Sequence, residues 1–103
     1  MKRIFRYVLP VETECFVVMP RGAKVLCVQT QGMSGPMVWA LVEDAETVKA
    51  KHWFFVYGTG HETYGQGTYL GTFQMNDGAL VFHVFDNGEG AYVAAEKGSE
   101  APR

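Results

Sequence analysis

The chain has 103 residues, of which 48 % are hydrophobic, 14 % aromatic and 19 % charged. That length suits one domain with a core of its own, and that composition excludes disorder for the bulk of the chain. A formal net charge of −2 leaves no basic excess to neutralise a run of phosphates, so general DNA or RNA binding is not expected.

Ile4 to Leu9 sets Phe5, Tyr7 and Leu9 against Ile4, Arg6 and Val8, the alternation of a strand with one buried face. The opening MKRIFRYVLP carries positive charge as a signal peptide does. Arg6 interrupts its apolar run and no small-residue cleavage site follows, so a cytoplasmic protein is expected. No run approaches the length of a membrane span. Pro10 ends the strand because proline cannot donate to a ladder, and Val11 to Glu14 is a polar bend.

Cys15 to Met19 is a second apolar run, stopped by Pro20-Arg21-Gly22, and Ala23 to Gln31 alternates again. The tight turn predicts a hairpin in which Met19 faces Ala23 and Cys15 faces Cys27. The two thiols are then expected as a reduced, half-buried pair. With no third ligand nearby they make a poor zinc site.

Gly32 to Pro36 is a loop. Met37 to Val42 is apolar on both faces, which predicts a central strand covered on both sides. Glu43 to Lys51 is a polar loop. Trp53 to Tyr57 is again apolar on both faces and is expected to pair with Met37 to Val42 across that loop. Gly58 to Gly67 is a Gly-rich connection, and Tyr69 to Met75 alternates once more. Asn76-Asp77-Gly78 is the strongest hairpin signal in the chain. Ala79 to Phe85 is the last strand, and residues 87–103 are expected as a polar, frayed tail.

Seven short strands without a convincing helix predict an all-β domain over residues 1–86, an antiparallel β-sandwich or partly closed barrel. Three strands apolar on both faces leave an excess of apolar surface: either two sheets stack, or one face is buried in a second copy, a homodimer.

Gly58-Thr59-Gly60-His61 invites a phosphate-loop reading, but no helix follows and no Lys-Ser or Lys-Thr pair completes it. A loop on a rigid sheet remains a natural place for binding. His52, His61 and His83 lack the HxH or HxxxH spacing that puts two ligands on one face, so neither metal nor cofactor is expected. Ser34 and Ser99 lie outside any strand-to-helix elbow. Cys27, between Leu26 and Val28, sits where the thiol outcompetes the thiolate. No enzyme is legible. The aromatic residues near the Gly-rich loop, Tyr57, Tyr64 and Tyr69, could stack on a base or ring. The expected contact region is Tyr57, Gly58, Thr59, Gly60, His61 and Tyr69.

The stretches IFRYVLPVE, MPRGAKVLCVQ, WALV, YGTGH, YLGTFQ and GALVFHVFD, in that order, resemble a family of small proteins from tailed phages and prophages whose function is unassigned. The resemblance runs to about Asp86 and implies a bacterial host cytoplasm; it supplies no catalytic residues. The resulting expectation is a non-enzymatic accessory binding module whose partner is a host protein or a small, nucleotide-like host signal. The alternative is a minor structural or assembly protein that oligomerises through its apolar sheet faces.

Overall fold

The computed structural model describes residues 1–93, and these form two antiparallel sheets packed face to face. The strands are β1 (Lys2–Val8), β2 (Glu14–Pro20), β3 (Lys24–Thr30), β4 (Pro36–Glu43), β5 (Lys49–Gly58), β6 (Thr68–Met75) and β7 (Leu80–Val93). A single 3-10 turn, Gly32–Ser34, interrupts the path from β3 to β4. One sheet has the order β1-β4-β3 and the other β2-β5-β7-β6. The arrangement is a sandwich, not a closed barrel.

Alternation decides which side chains enter the core. In the three-stranded sheet, Tyr7 lies opposite Val38 and Phe5 opposite Ala40, and these point inward with Val28 and Val42. In the four-stranded sheet, Cys15 lies opposite Phe54 and Val56 opposite Val84, and these meet the first set with Val17, Met19 and Phe73. Phe54, Val38 and Val84 are wholly excluded from solvent. Each such side chain contributes about 1.5–3 kcal/mol of burial free energy. Burial also pushes the Tyr7 phenol up to about 12.

Two strand pairings differ from those expected. Pro20-Arg21-Gly22 is indeed a tight turn, closed by Ala23 N–H donating to Pro20 C=O at 3.1 Å. The chain leaving it nevertheless crosses to the other sheet. β2 pairs with β5 and β3 with β4, so no β2–β3 hairpin forms and Cys15 does not face Cys27. Cys15 lies opposite Phe54 and Cys27 opposite Trp39. Met37–Val42 and Trp53–Tyr57 do not pair either, because β4 and β5 belong to different sheets. In each case the core needed two layers, and local turn chemistry could not say in which layer the next strand would lie.

β4 is central in its sheet, as expected, but is covered by the opposite sheet on one face alone. Ala40 and Val42 are buried, whereas Trp39 and Leu41 are half-buried on the outer face. β7 continues to Val93, seven residues past the expected end of the domain at Asp86. Residues 94–103 of the expected tail lie outside the described residues. The Asn-Asp-Gly hairpin is present as expected. Asn76, Asp77 and Gly78 all take positive φ (55°, 54° and 87°), and Ala79 N–H donates to Asn76 C=O at 3.0 Å. Asn and Asp are the non-glycine residues that tolerate this region best.

Candidate functional site

The hairpin turn fixes the geometry of the outer face of the four-stranded sheet. Met75 pairs with Leu80, so counting back places Thr72 opposite His83. A register shift between Tyr69 and Gly71 then brings Tyr69 opposite Phe85. On the other side of β7, β5 sets Tyr57 opposite His83 and Phe55 opposite Phe85. Five rings and a threonine therefore share one face.

The rings pack in sequence. Phe55 stacks on Tyr57 at 5.8 Å, Tyr57 meets Phe85 edge-on at 6.1 Å, and Tyr69 meets Phe85 edge-on at 5.6 Å. Offset and edge-to-face contacts of this kind are the favoured aromatic geometries.

The Gly-rich connection folds back over this band. Tyr57, only 3 % exposed, donates its phenolic hydrogen to Gly65 C=O at 2.7 Å. The same oxygen accepts from the Tyr64 and Gly65 amides at 3.1 and 2.9 Å. Gly65 presses so closely on Phe55 that a Cβ there would stand 2.9 Å from the ring. At the start of the connection, His61 N–H donates to Gly58 C=O at 3.0 Å and the His61 ring lies over Gly58. Gly60, inside that turn, takes φ 85°.

The result is a cleft of about 250 Å³ lined by Tyr57, Gly58, Thr59, Gly60, His61 and Tyr69, the six residues expected from sequence, with Thr63, His83 and Phe85. Tyr64, the remaining aromatic residue of the stretch, lies on the far side of the loop, in an adjoining hollow that shares Tyr57 and His61. Sequence reading missed His83 and Phe85 by taking β7 as a core strand. Part of the signal was available: period-two alternation and the hairpin turn place residues 83 and 85 on the face of Thr72, whereas Tyr69 joins that face only through the register shift between Tyr69 and Gly71.

A chain of hydrogen bonds crosses the cleft. The Tyr69 hydroxyl is bonded to Thr72 Oγ1, which lies 2.9 Å from His83 Nδ1. His83 Nε2 lies 2.7 Å from Thr59 Oγ1. A hydroxyl this close to an imidazole has the distance of a nucleophile–base pair. In that arrangement a third group, a carboxylate in the best-known triads, holds the far nitrogen and stabilises the imidazolium. Here that nitrogen faces Thr72, a neutral hydroxyl. The Thr59 and His61 amides are bonded to the Val81 and Gly58 carbonyls and are not free to form an oxyanion hole. The arrangement can orient hydrogen-bonding groups toward a ligand, and that is its clearest chemistry.

A second polar centre lies on the inner face. His52, 5 % exposed, donates from Nε2 to Asp86 Oδ1 at 2.7 Å. The pair borders a cleft of about 570 Å³ between the start of β3 and the start of β6, with Lys24 and Thr68 on its walls. Burial pushes the Asp86 carboxyl up, but the His52 hydrogen bond and charge and the Gly88 amide outweigh it and hold it below its ordinary value. Neither His52 nor Asp86 was expected as part of a site. Among the described residues no group of three or more His, Cys, Asp or Glu side chains has the arrangement to hold a metal ion. Among the same residues no helix is long and apolar enough to cross a membrane.

A family model described as a domain of unknown function (DUF7352) matches residues 1–93. The chain belongs to that family. No curated protein and no solved structure matches the chain. The match covers both sheets and takes in the part of β7 beyond Asp86. The family description carries no activity, and the functional reading rests on the cleft.

Proposed function

We propose that the protein is a non-enzymatic binding module that holds a small ring-bearing molecule in the cleft beside the Gly-rich loop. The observation that carries this reading is the convergence of Tyr57, Gly58, Thr59, Gly60, His61 and Tyr69 on one cleft, although they come from two strands and a loop. A concave site with aromatic walls and a few convergent polar groups is the usual form of a small-molecule pocket. The resemblance to tailed-phage and prophage proteins supports a specific role: an accessory protein in the bacterial cytoplasm that sequesters a nucleotide-like host signal or occupies a host factor.

Native mass spectrometry of freshly purified protein, repeated after denaturation, tests the reading. An extra mass of a few hundred daltons that denaturation removes is the expected result. A clean apo species would sink the idea of a tightly held small molecule and turn attention to a host protein captured by pull-down.

A second reading, assembly through an apolar sheet face, has its own observation. On the outer face of the three-stranded sheet, Ile4, Leu26, Cys27 and Trp39 line an apolar hollow of about 290 Å³, with Ile4 59 % exposed. Homodimerisation through this face predicts a doubled mass by light scattering that Leu26→Lys returns to the monomer value. A monomer at high concentration would discard it.

A further inference from the structure

We propose that the cleft selects an uncharged planar ring that donates a hydrogen bond, and that the chain Tyr69–Thr72–His83–Thr59 sets this preference. The proposal rests on the binding reading above and deepens it, because it says which part of a nucleotide-like molecule is recognised.

A phosphate has little to hold it here. Among the described residues no Lys or Arg lines the cleft. A glycine-rich loop can still cradle an anion with its backbone N–H groups. In this loop four of those groups are committed. The Thr59 amide donates to Val81 C=O at 3.2 Å and the His61 amide to Gly58 C=O at 3.0 Å. The Tyr64 and Gly65 amides donate to the Tyr57 hydroxyl. The glycines serve the close packing of the loop on His61 and Phe55, and no cationic side chain among the described residues adds to the amides that remain.

The walls suit a ring, since Tyr57, Phe85 and Tyr69 stand within the cleft and Tyr69 is 56 % exposed. Stacking on such side chains contributes about 1–3 kcal/mol per base in single-strand binding sites.

The polarity of the hydrogen-bond chain specifies what the ring must carry. We assign the Thr59 hydrogen to Val81 C=O, which lies 3.5 Å from Thr59 Oγ1 and can only accept. Thr59 then accepts from His83, which places the imidazole hydrogen on Nε2 and leaves Nδ1 as an acceptor. Thr72 donates to Nδ1 and accepts from the Tyr69 hydroxyl. At the exposed end, Tyr69 has spent its hydrogen and presents lone pairs, and an amino or ring N–H group is the complement.

The test uses calorimetric titration of the full chain with three probes: adenosine, purine riboside, which lacks the exocyclic amino group, and adenosine monophosphate. Adenosine should bind about tenfold tighter than purine riboside, the worth of one hydrogen bond. The monophosphate should bind no tighter than adenosine, within about twofold, since no cation rewards its charge. In Thr72→Val the Tyr69 hydroxyl is free to donate or accept, so the adenosine preference should fall below about threefold. That readout is a ratio, which a general loss of stability would not move.

Equal binding of adenosine and purine riboside, or a ratio unchanged in Thr72→Val, overturns the proposal. A monophosphate that binds tenfold tighter than adenosine overturns it in favour of charge recognition, while binding at the cleft stands. If none of the three probes binds, the proposal fails; native mass spectrometry then decides whether the binding reading fails with it.

Discussion

His52 Nε2 and Asp86 Oδ1 stand 2.7 Å apart on the inner face of the four-stranded sheet, inside a sandwich whose core is otherwise apolar. Irregularities in the β5–β7 ladder make the contact. Asp86 is the register partner of Phe54 and His52 that of Glu89, with shifts on either side of the His52–Trp53 step. Gly88, at φ 90°, turns its amide onto the same Asp86 oxygen at 2.8 Å. Removing one partner of a buried pair leaves the other uncompensated, at about 3–5 kcal/mol when both are fully buried. The Asp86 side chain is 21 % exposed, so Asp86→Asn should cost less, about 2–3 kcal/mol. The folded carboxyl lies below its ordinary value, so its contribution is complete above the unfolded pKa of about 3.9 and is lost as pH falls through the folded value. Urea denaturation at pH 7 and pH 3 should therefore show Asp86→Asn losing less stability on acidification than the parent. Equal losses would remove Asp86 from the acid response.

The two cysteines should behave as unrelated thiols. Cys15 is buried in the core between the sheets, with its Sγ 3.3 Å from Pro10 C=O, and burial pushes the thiol up to about 11. Cys27 sits half-buried in the other sheet, opposite Trp39. A thiol reagent at pH 8 should label Cys27 first and reach Cys15 on the timescale of unfolding, since the thiolate is the reactive species. Rapid, equal labelling of both, or a Cys15–Cys27 disulfide under mild oxidation, would contradict this placement.

How much of this was legible in the sequence follows a physical boundary. All seven strands overlap the runs expected from alternation and apolar patterning, though β5 and β7 extend beyond them, because that patterning is a local property of who faces the core. The Asn76-Asp77-Gly78 hairpin was legible for the same reason: positive φ is a demand on single residues. The partition into sheets was not. Pro20-Arg21-Gly22 can close a hairpin or arch between layers, and here the Arg21 amide donates to Val48 C=O, tying the turn to the entry of β5. That bond joins residues far apart in the chain. The cleft was half legible, since its loop is a contiguous stretch, whereas His83 entered it through cross-strand register. The His52–Asp86 pair was missed because both ends lay just outside the expected strands. Extending β5 back to Lys49 puts His52 in phase with Phe54 and Val56, and extending β7 past Phe85 puts Asp86 in phase with Val84.

Two glycine substitutions should separate steric cost from backbone strain. An added Cβ at Gly67 would lie 2.0 Å from the Asp86 carbonyl oxygen, which belongs to backbone and has little room to move. Gly22 has open space around its Cβ position but takes φ 83°. Gly22→Ala should cost about 1–2 kcal/mol, the penalty for a left-handed L-residue. Gly67→Ala should cost about 3 kcal/mol or more, the upper end of overpacking, because the β6 entry must part from β7. Thermal melts of the two variants give the comparison, and a Gly67→Ala variant milder than Gly22→Ala would show that the loop end is not clamped against β7.

Tyr57→Phe isolates what the phenolic oxygen contributes to the shape of the cleft. The ring stays, so its contacts with Phe55 and Phe85 stay with it. The lost atom anchors the loop three times, once to Gly65 C=O and once each to the Tyr64 and Gly65 amides. Tyr57 is almost fully buried, so its three partners must find water when it goes. A net loss of about 1–3 kcal/mol is expected, the range for leaving buried partners unsatisfied. The effect should be local, with amide hydrogen exchange accelerating at Tyr64 and Gly65 while the core strands β4 and β5 exchange as before. Adenosine affinity should fall with it, because His61 and Thr63 hold their places in the cleft through the same stretch of chain. If exchange at Tyr64 and Gly65 is unchanged in the variant, the loop is held by its packing on Phe55, and the hydroxyl is not what shapes the cleft.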